Sequence, residues 1–266
     1  MARRALVEKS DQEDAVAPVA TLANSAANNA SSRLDALWTL LQIDHGARTS
    51  SALENAAKSK FPSLRAWAAR NVGDTVARTA FREGMNVGIP AYLEKLAADS
   101  EPSVRLSAAI ALRQCSARRL TVDGRKSDGF RLAWPNLFDA IFKSSVQNAD
   151  PVLALSIWQS FEPVLAANPV FWTDWLSDSA PQFQPLSRSL VHKSMRRLCD
   201  TRKASSITLA VDFCEKIELH DILLAHALDG LVKGQEGGVI KPVKDISASL
   251  TKWRESSNAD VRKHAQ

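Results

Sequence analysis

The residues of this sequence with the clearest potential for chemistry are arginines that recur at one place in a repeated pattern. The stretches from Leu53 to Ala68 and from Leu93 to Ala108 share the pattern L-E-x-x-A-x-x-x-x-P-S-[LV]-R-x-x-A. The arginines that fit this frame are Arg33, Arg65, Arg105 and Arg262. Guanidinium groups at a fixed interval could bind phosphate or the carboxylates of a partner. The alternative is structural, because stacked repeats need a joint that fixes their register.

A denser group of cations lies in one short segment and is the predicted site for a partner or an anion. Its members are Arg118, Arg119, Arg125, Lys126 and Arg131. Phe130 and Trp134 lie nearby, and stacking rings beside phosphate-binding charges are typical of nucleic-acid binding. Asp123 and Asp128 dilute the charge, so a solvated surface loop is the alternative interpretation. A further basic run, from His192 to Lys203, spreads its charge over one face of a helix.

No combination of side chains predicts catalysis, a cofactor or a metal site. His220 and His226 lie about 240° apart on a helix, so they do not share a face as two metal ligands would. The sequence has no G-x-S-x-G elbow, and "GQEGG" lacks the Lys and Ser or Thr of a phosphate loop. Three cysteines without a CxxC pair predict buried helical thiols. We therefore expect no enzymatic activity in this chain, and any activity in neighbouring domains.

Composition favours an all-α fold. The chain has 266 residues, of which 45% are hydrophobic, so it can bury a substantial core. Ten Gly, eleven Pro and a single Tyr argue against an all-β sandwich. The net charge of +5 permits an anionic partner without requiring one. No apolar run approaches the roughly 18 residues of a membrane span, and the first residues lack the apolar core of a signal peptide.

The repeated pattern predicts pairs of helices, each joined by a short turn, that stack as an α-α superhelix or solenoid. Self-similarity at a period of roughly 20 to 50 residues is typical of such arrays. Pro62 and Pro102 are expected to begin the second helix of their pairs. The matching apolar positions, spaced by four as a buried helical stripe requires, are Leu64, Ala68 and Val72 in one copy and Val104, Ala108 and Leu112 in the other.

The second copy resembles a HEAT repeat, in which a turn bearing Asp and Pro precedes [VL]-R-x-x-A-x-x-x-L. The matching residues are Asp99, Pro102, Val104, Arg105, Ala108 and Leu112. The resemblance covers roughly residues 12 to 165. In HEAT repeats the Asp and Arg commonly bridge successive turns, which implies inter-repeat structural roles for Arg33, Arg65, Asp99 and Arg105. Lys58 and Ser59 stand at the Asp position of the earlier copy, so we expect an incomplete ladder.

A narrower resemblance connects the succession "RLDALWTL", "LRAWAARNVGD", "DSEPSVRLSAAIAL" and "DPVLALSIWQSFEPVLAANP" with one type of protein. It looks like the helical region of planctomycete-type exported dehydrogenase-like proteins that carry a c-type heme domain. In that family a β-propeller precedes the HEAT region and a cytochrome c module follows it. This sequence has no CxxCH heme motif. The resemblance implies a connecting or scaffolding segment without a cofactor, and a periplasmic or exported location.

Turn signals and the extent of the repeats divide the whole chain into four segments. HEAT-like repeats are expected over residues 1–115, a basic loop insertion over 116–133, divergent HEAT-like helices over 134–200, and C-terminal helices over 201–266. Gly230 and "GQEGG" are expected to end helices. The final residues, "ADVRKHAQ", repeat the start of the pattern, so we expect either that the array continues in a longer protein or that it ends in the remains of a deleted repeat.

These observations predict a non-catalytic scaffold whose partner is another protein or an adjacent domain of the same polypeptide. The competing hypothesis is a HEAT-like nucleic-acid-binding or DNA-repair protein, because some alkylpurine glycosylases use such solenoids. That hypothesis predicts basic residues of several repeats on one concave face, and binding that weakens steeply with salt.

Overall fold

The computed structural model describes residues 13–43, 46–79, 89–122, 133–145, 150–183 and 186–266. Within these ranges all regular structure is helical, which confirms the all-α prediction. The helices, in chain order, are α1 Glu13–Asn24, α2 Ala30–Ile43, α3 Ala47–Ala57, α4 Pro62–Thr79, α5 Tyr92–Ala97, α6 Pro102–Val122, α7 Ala133–Ser145, α8 Pro151–Ala167, α9 Pro169–Ser179, α10 Leu186–Asp200, α11 Ala204–Lys216, α12 Asp221–Gly234, α13 Ser247–Arg254 and α14 Ala259–His264. A 3₁₀ turn, Ala180–Gln182, follows α9.

The chain forms two compact units, which divide between Ala111 and Leu112 inside α6. In the first unit, α3 packs against α1, α2, α4 and α5. In the second unit, α10 packs against α7, α8, α11 and α12, and α12 packs in turn against α14. Each helix therefore contacts mainly its neighbours in sequence and the helices next but one.

Helices α4 and α6 begin at the predicted prolines. Proline is tolerated at a first helical position because the N–H that it lacks would have no partner within the helix. The two predicted apolar stripes are buried: Leu64, Ala68, Val104, Ala108 and Leu112 are 0% exposed and Val72 is 3% exposed. Alanine in the middle of each stripe lets neighbouring helices come close together.

The predicted loop from residue 116 is wrong over its first part, because α6 continues as a helix to Val122. No Gly or Pro interrupts the chain between Ser116 and Val122, and the Ser116 hydroxyl donates to the Arg113 carbonyl, 2.9 Å away. The first Asp-Gly turn signal comes only at Asp123, where the described part of α6 ends. Residues 123–132 lie outside the described residues.

Gly230 does not end a helix, because it lies inside α12. A Cβ atom at this position would lie 2.3 Å from the carbonyl oxygen of His192 in α10. The glycine therefore permits two helix backbones to approach closely, and that need outweighs its low helix propensity. The "GQEGG" segment behaves as predicted, since α12 ends at its first residue, Gly234.

Aromatic side chains fill the core of the second unit around the segment "FWTDW". The rings in contact are those of Phe138, Phe142, Phe161, Trp172, Trp175 and Phe183, with centroid separations from 5.4 to 6.1 Å. Phe138 and Phe161 are 0% exposed, and Trp172 is 5% exposed. Edge-on and tilted ring pairs of this kind stabilise a core beyond the area that they bury. Trp172 and Trp175 of this segment accordingly pack in the core, whereas Phe171 is exposed.

A search of the described residues finds no helix that could span a lipid bilayer.

Candidate functional site

The turns that lead into α4, α6 and α14 share one hydrogen bond. A side-chain oxygen accepts from the backbone N–H two residues later: Ser59 Oγ from Phe61 at 3.2 Å, Asp99 Oδ1 from Glu101 at 2.9 Å, and Ser256 Oγ from Asn258 at 3.2 Å. Serine and aspartate both stabilise turns in this way, because their oxygen lies close to the chain. Each of the three turns leads directly into a helix, namely α4, α6 or α14.

The arginine of each following helix binds back to the same turn. Nη1 of Arg65, Arg105 and Arg262 donates to the carbonyl oxygen six residues earlier, at 2.8, 2.7 and 2.6 Å respectively. Arg105 and Arg262 also donate to the carbonyl five residues earlier. These carbonyls follow the last turn of the preceding helix, where backbone acceptors lack partners. The recurring arginine thus holds two helices of a pair at a fixed angle.

The arginines also connect one turn to the next, in what we call the arginine ladder: Arg33, Ser59, Arg65, Asp99 and Arg105. Arg65 donates from Nε and Nη2 to both carboxylate oxygens of Asp99, at 2.6 and 2.9 Å. Arg33 Nη1 donates to Ser59 Oγ at 3.4 Å, and its Nε to the Ala23 carbonyl at 3.1 Å. Ser59 therefore accepts from the preceding arginine as Asp99 does, but the bond is longer and its acceptor is neutral.

Electrostatics and burial define what the ladder can do. Burial opposes ionisation of Asp99, but the hydrogen bonds from Arg65 and Glu101 and the nearby guanidinium charges hold its pKa below the usual range. Arg33 and Arg105 are 7% and 3% exposed, so neither is accessible to an external phosphate. Among the described residues, Nε of Arg105 has no hydrogen-bond partner. The ladder can fix the register of helices, and it offers little to an outside anion.

The side chains of the predicted anion-binding group all lie outside the described part of the structure. Arg125, Lys126 and Arg131 are outside the described residues, and so are the side chains of Arg118 and Arg119 at the end of α6. The predicted role of all five stays a prediction.

The second basic run falls on α10 and the turn after it, and several of its members have structural partners. Lys193 Nζ lies 6.0 Å from the ring centroid of Trp158 in α8. One turn further along both helices, Arg197 of α10 pairs with Glu162 of α8. Arg202 adopts a left-handed backbone (φ 55°) and donates to the Gly238 carbonyl at 2.9 Å. Arg196 and Lys203 stay exposed. Part of this run therefore joins helices, and part faces solvent.

Three histidines from three different helices meet on one face of the second unit, around a single carboxylate. Asp229 Oδ2 lies 3.2 Å from His192 Nε2, and Asp229 Oδ1 lies 3.8 Å from His264 Nδ1. Lys233 Nζ donates to Asp229 at 2.8 Å. We call the surrounding surface the histidine–aspartate face: Arg188, His192 and Arg196 of α10, His226, Asp229 and Lys233 of α12, and Asp260 and His264 of α14.

Two glycines of α12 create this face by permitting close packing on α10. Cβ atoms at Gly230 and Gly234 would lie 2.3 Å from the His192 carbonyl oxygen and 2.6 Å from the Cys199 Cβ. Gly230 meets His192, and Gly234, one turn later in α12, meets Cys199, which also lies later in α10. The two helices therefore run parallel. His192 and Asp229 are consequently held together, although the His192–Asp229 contact lacks the geometry of a hydrogen bond.

Histidine titration is perturbed at this face. Burial is the main cause that lowers the pKa of His192; Asp229 opposes it, and the positive charges of Lys233 and Arg196 add to it. The pKa of His226 is lowered first by burial and then by Arg188. Burial of Asp229 favours its neutral form, yet the hydrogen bond and charge of Lys233, with His192 and His264, hold its pKa below the usual range. The uncharged forms of His192 and His226 are therefore favoured in the folded chain.

Sequence inspection missed this face because its histidines lie far apart in the chain. Only the pair His220 and His226 is close enough to be compared by helical periodicity, and His220 is exposed on the turn before α12. The signal in the sequence that could have revealed this face is the spacing of its histidines, which is close to the interval between side chains that join helices next but one. Arg197 and Glu162, which join α8 to α10, are 35 residues apart. His192, His226 and His264 follow one another at similar intervals.

The three cysteine thiols lie inside the helical core. Cys115, Cys199 and Cys214 are all buried, and burial raises the pKa of the Cys199 thiol to about 11. Such thiols are poor nucleophiles, because the thiolate is the reactive form. Among the described His, Cys, Asp and Glu residues, no group of three is placed to hold a metal ion.

No protein-family model, curated protein sequence or solved structure matches this chain.

Proposed function

We propose that the chain is a HEAT-like helical-repeat scaffold, part of a superhelical solenoid, that binds a protein partner or adjacent domains of its own polypeptide. The observation that carries this proposal is the recurrence of one turn before α4, α6 and α14. In each of these turns a Ser or Asp oxygen closes the chain, and an arginine binds the carbonyl six residues earlier. A turn repeated in such detail supports a repeated helical unit.

The ladder supports a rigid scaffold. Arg65 forms a two-point bond with a carboxylate that is only 10% exposed, and such bonds fix orientation as well as distance. A surface held by joints of this kind loses little conformational entropy when a partner docks. The recurring arginines thus support a structural role, in which they fix the register of helices. In this proposal the exposed side chains between them supply the binding surface.

The resemblance to the helical region of exported dehydrogenase-like proteins supports a connecting role between domains. In this proposal the chain itself carries out no reaction, and it orders neighbouring domains or a separate partner on its surface. The partner contacts belong to solvent-facing residues of α4, α8 and α10, such as Arg70, Leu155 and Arg196.

Site-specific photocrosslinking tests this function. A photoreactive phenylalanine analogue would replace Arg70, Leu155 or Arg196 in separate variants, and adducts formed in the natural host would be identified by mass spectrometry. The expected product is a defined protein adduct that also binds the purified chain. Adducts with nucleic acid alone, or a bound cofactor with measurable turnover in the purified chain, would overturn the scaffold.

Titration with duplex DNA at graded salt separates the scaffold from the competing DNA-binding function. A protein that neutralises several phosphates loses affinity steeply as salt rises. We expect no binding at moderate salt, because Arg33, Arg65 and Arg105 are engaged in the ladder. Tight binding with a steep salt slope would favour the nucleic-acid hypothesis.

A further inference from the structure

The histidine–aspartate face carries an inference about the partner. We propose that this face binds an acidic segment of a protein partner, and that it binds the segment more tightly as the pH falls. The inference rests on the proposed function and names the chemistry of its partner. Its basis is the convergence of α10, α12 and α14, which brings Asp229 within 3.2 Å of His192 and 3.8 Å of His264.

The charge of the face depends on its histidines. Arg188, Arg196 and Lys233 are opposed by Asp229 and Asp260, so the face is only slightly positive while the histidines are neutral. Each protonated histidine adds one positive charge. The fixed charges do not change over the same range, because Arg and Lys titrate far above neutral pH and Asp far below it. Acidification through the histidine range therefore makes the face strongly positive.

The cations at the edge of the face are accessible to a partner. Arg196 is exposed, and the Lys233 side chain is 45% exposed. The His192 and His264 side chains are 19% and 17% exposed, so their rings are less accessible than the two cations but still reach solvent. Carboxylates of a docked segment would pair with Arg196 and Lys233, and would lie above the histidine rings.

Proton linkage gives the pH dependence its direction. In the free chain, burial disfavours the charged forms of His192 and His226. A partner carboxylate above these rings favours the charged forms, so binding takes up protons. By reciprocity, a binding event that takes up protons becomes tighter as the proton concentration rises.

The groups that oppose or assist this linkage are all on the face. Lys233, Arg196 and His226 act against protonation of His192, and Asp229 favours it. Arg188 and His264 act against protonation of His226, and Asp229 and Asp260 favour it.

Several charged side chains of the other helices that pack against α10 and α12 have partners away from the face. In α8, Glu162 pairs with Arg197. In α11, Asp212 and Glu215 pair with Lys244. In α7, Asp139 accepts a hydrogen bond from Ser179.

A protein carboxylate suits this face better than a nucleic acid does. Asp229 and Asp260 interrupt the cations, and a continuous phosphate backbone would meet repulsion at both. Separate carboxylates on a polypeptide can pair with individual cations and avoid these two residues. The face therefore favours an acidic peptide segment.

Fluorescence anisotropy of the whole chain with a synthetic probe tests the proposal. The probe is a fluorescein-labelled peptide of about twelve residues that alternates Glu and Ser, and the control peptide replaces every Glu with Gln. Glutamate stays largely ionised down to a pH of about 5.5, so changes above that value report on the protein. At a fixed ionic strength of about 50 mM, we expect the Glu peptide to bind roughly threefold to tenfold more tightly at pH about 5.5 than at about 7.5.

Variants assign the effect to the face. Arg196→Gln should weaken binding at every pH, because it removes an exposed fixed charge. The triple variant His192→Gln, His226→Gln and His264→Gln should remove most of the pH dependence, and each single variant should remove part of it. The single variants keep the test valid if the triple variant does not fold. His220→Gln is the matched control, since His220 is exposed on the turn before α12.

Three results would overturn the proposal in a chain that circular dichroism shows to be folded. They are no binding of the Glu peptide at any pH, equal binding of the Gln peptide, and binding unaffected by Arg196→Gln. Tighter binding of a short DNA duplex than of the Glu peptide would also overturn it. A protein photocrosslinked only at Arg70 or Leu155 would leave the scaffold in place and reject this face, whereas absence of a protein adduct at all positions contradicts the scaffold itself.

Discussion

The two units of this protein solve the same problem with different side chains. Both must join helices that lie next but one in sequence, and both use charged groups to do so. In the first unit the joint is guanidinium to carboxylate or serine, as in Arg65 with Asp99. In the second unit, α10, α12 and α14 meet through histidines around Asp229, and through glycines that remove side chains from the interface.

The difference teaches where pH can act. Arginine stays charged at any pH that a protein encounters, so the ladder is insensitive to acid until Asp99 itself is protonated. Histidine changes its charge near neutrality, so the joint of the second unit is not constant over the physiological range. One region of the chain is built as a fixed frame, and the other as a surface whose charge follows its surroundings.

Breaking the ladder should produce the largest effect. Arg65→Met leaves the Asp99 carboxylate, 10% exposed, without its cation, and we expect a loss of about 3 kcal/mol in the free energy of unfolding. Hydrogen exchange followed by mass spectrometry should show lost protection in α4 and α6, with α12 unchanged. Arg70→Met on the same helix is the control, because Arg70 is exposed and lies 6.0 Å from the Trp67 ring.

The partner substitution Asp99→Asn sharpens this prediction. Asparagine keeps the oxygen that accepts from the Glu101 N–H but carries no charge. Combined with Arg65→Met, it should lose less stability than Arg65→Met alone, since no unpaired carboxylate remains. A double variant that loses as much as the two single variants together would show that the pair is not coupled.

Filling the glycine contact should have the next largest effect, confined to the second unit. In Gly230→Ala the new methyl group meets backbone, the His192 carbonyl oxygen, at 2.3 Å, so α10 and α12 must separate. We expect a net loss of about 2 kcal/mol in urea unfolding, despite the better helix propensity of alanine. Gly237→Ala is the control, because its methyl group meets only the movable end of the Arg202 side chain at 2.9 Å. Equal losses in both variants would contradict the close-packing explanation.

Acid should weaken the second unit selectively. Because folding lowers the pKa values of His192 and His226 from about 6.5, the unfolded chain binds more protons just below that pH. Stability therefore falls as the pH drops through about 6.5, and the loss is complete once the lowered folded-state pKa values are passed. We expect a total of no more than about 1 kcal/mol, since both side chains are partly exposed and solvent screens their charge.

The same exchange experiment at several pH values measures this loss helix by helix. After correction for the intrinsic exchange rate, protection of α12 should decline on acidification and protection of α4 should not. His192→Gln and His226→Gln should each flatten the decline, and His220→Gln should leave it unchanged. A decline of equal size in α4 would erase the contrast between the units.

Strengthening the weak step of the ladder should give the smallest effect, and a favourable one. Ser59 stands where Asp99 stands in the next turn, and Arg33 Nη1 already lies 3.4 Å from its Oγ. Ser59→Asp should replace a long bond to a neutral hydroxyl with an ion pair and raise the free energy of unfolding by about 0.5 to 1 kcal/mol. The gain should vanish when Arg33 is replaced by Met, and a gain that persists would have another cause.

Several features follow from the sequence because they depend on local chemistry. Pro62 and Pro102 begin helices since proline has no N–H to lose there. The stripes at Leu64 and Val104 are buried because apolar residues spaced by four share a helix face. The all-α class follows from composition and from this periodicity.

The sequence also located the recurring arginines, but their bonds depend on neighbours about one repeat away. Ser59 was expected to break the ladder, yet a serine oxygen held in the same turn accepts from Arg33. The type of a residue does not disclose that equivalence, because it arises from the position of the turn in space.

Tertiary structure alone decided the rest. Gly230 carries the same chemical signal as a helix stop, and only the approach of α10 makes it an interior packing residue. Residues 116–122 look like a charged loop, but without Gly or Pro they continue a helix. His192, His226 and His264 acquire a common environment only when α10, α12 and α14 pack together. Sequence determines which helices form and what each carries; the distance between helices determines which of those side chains meet.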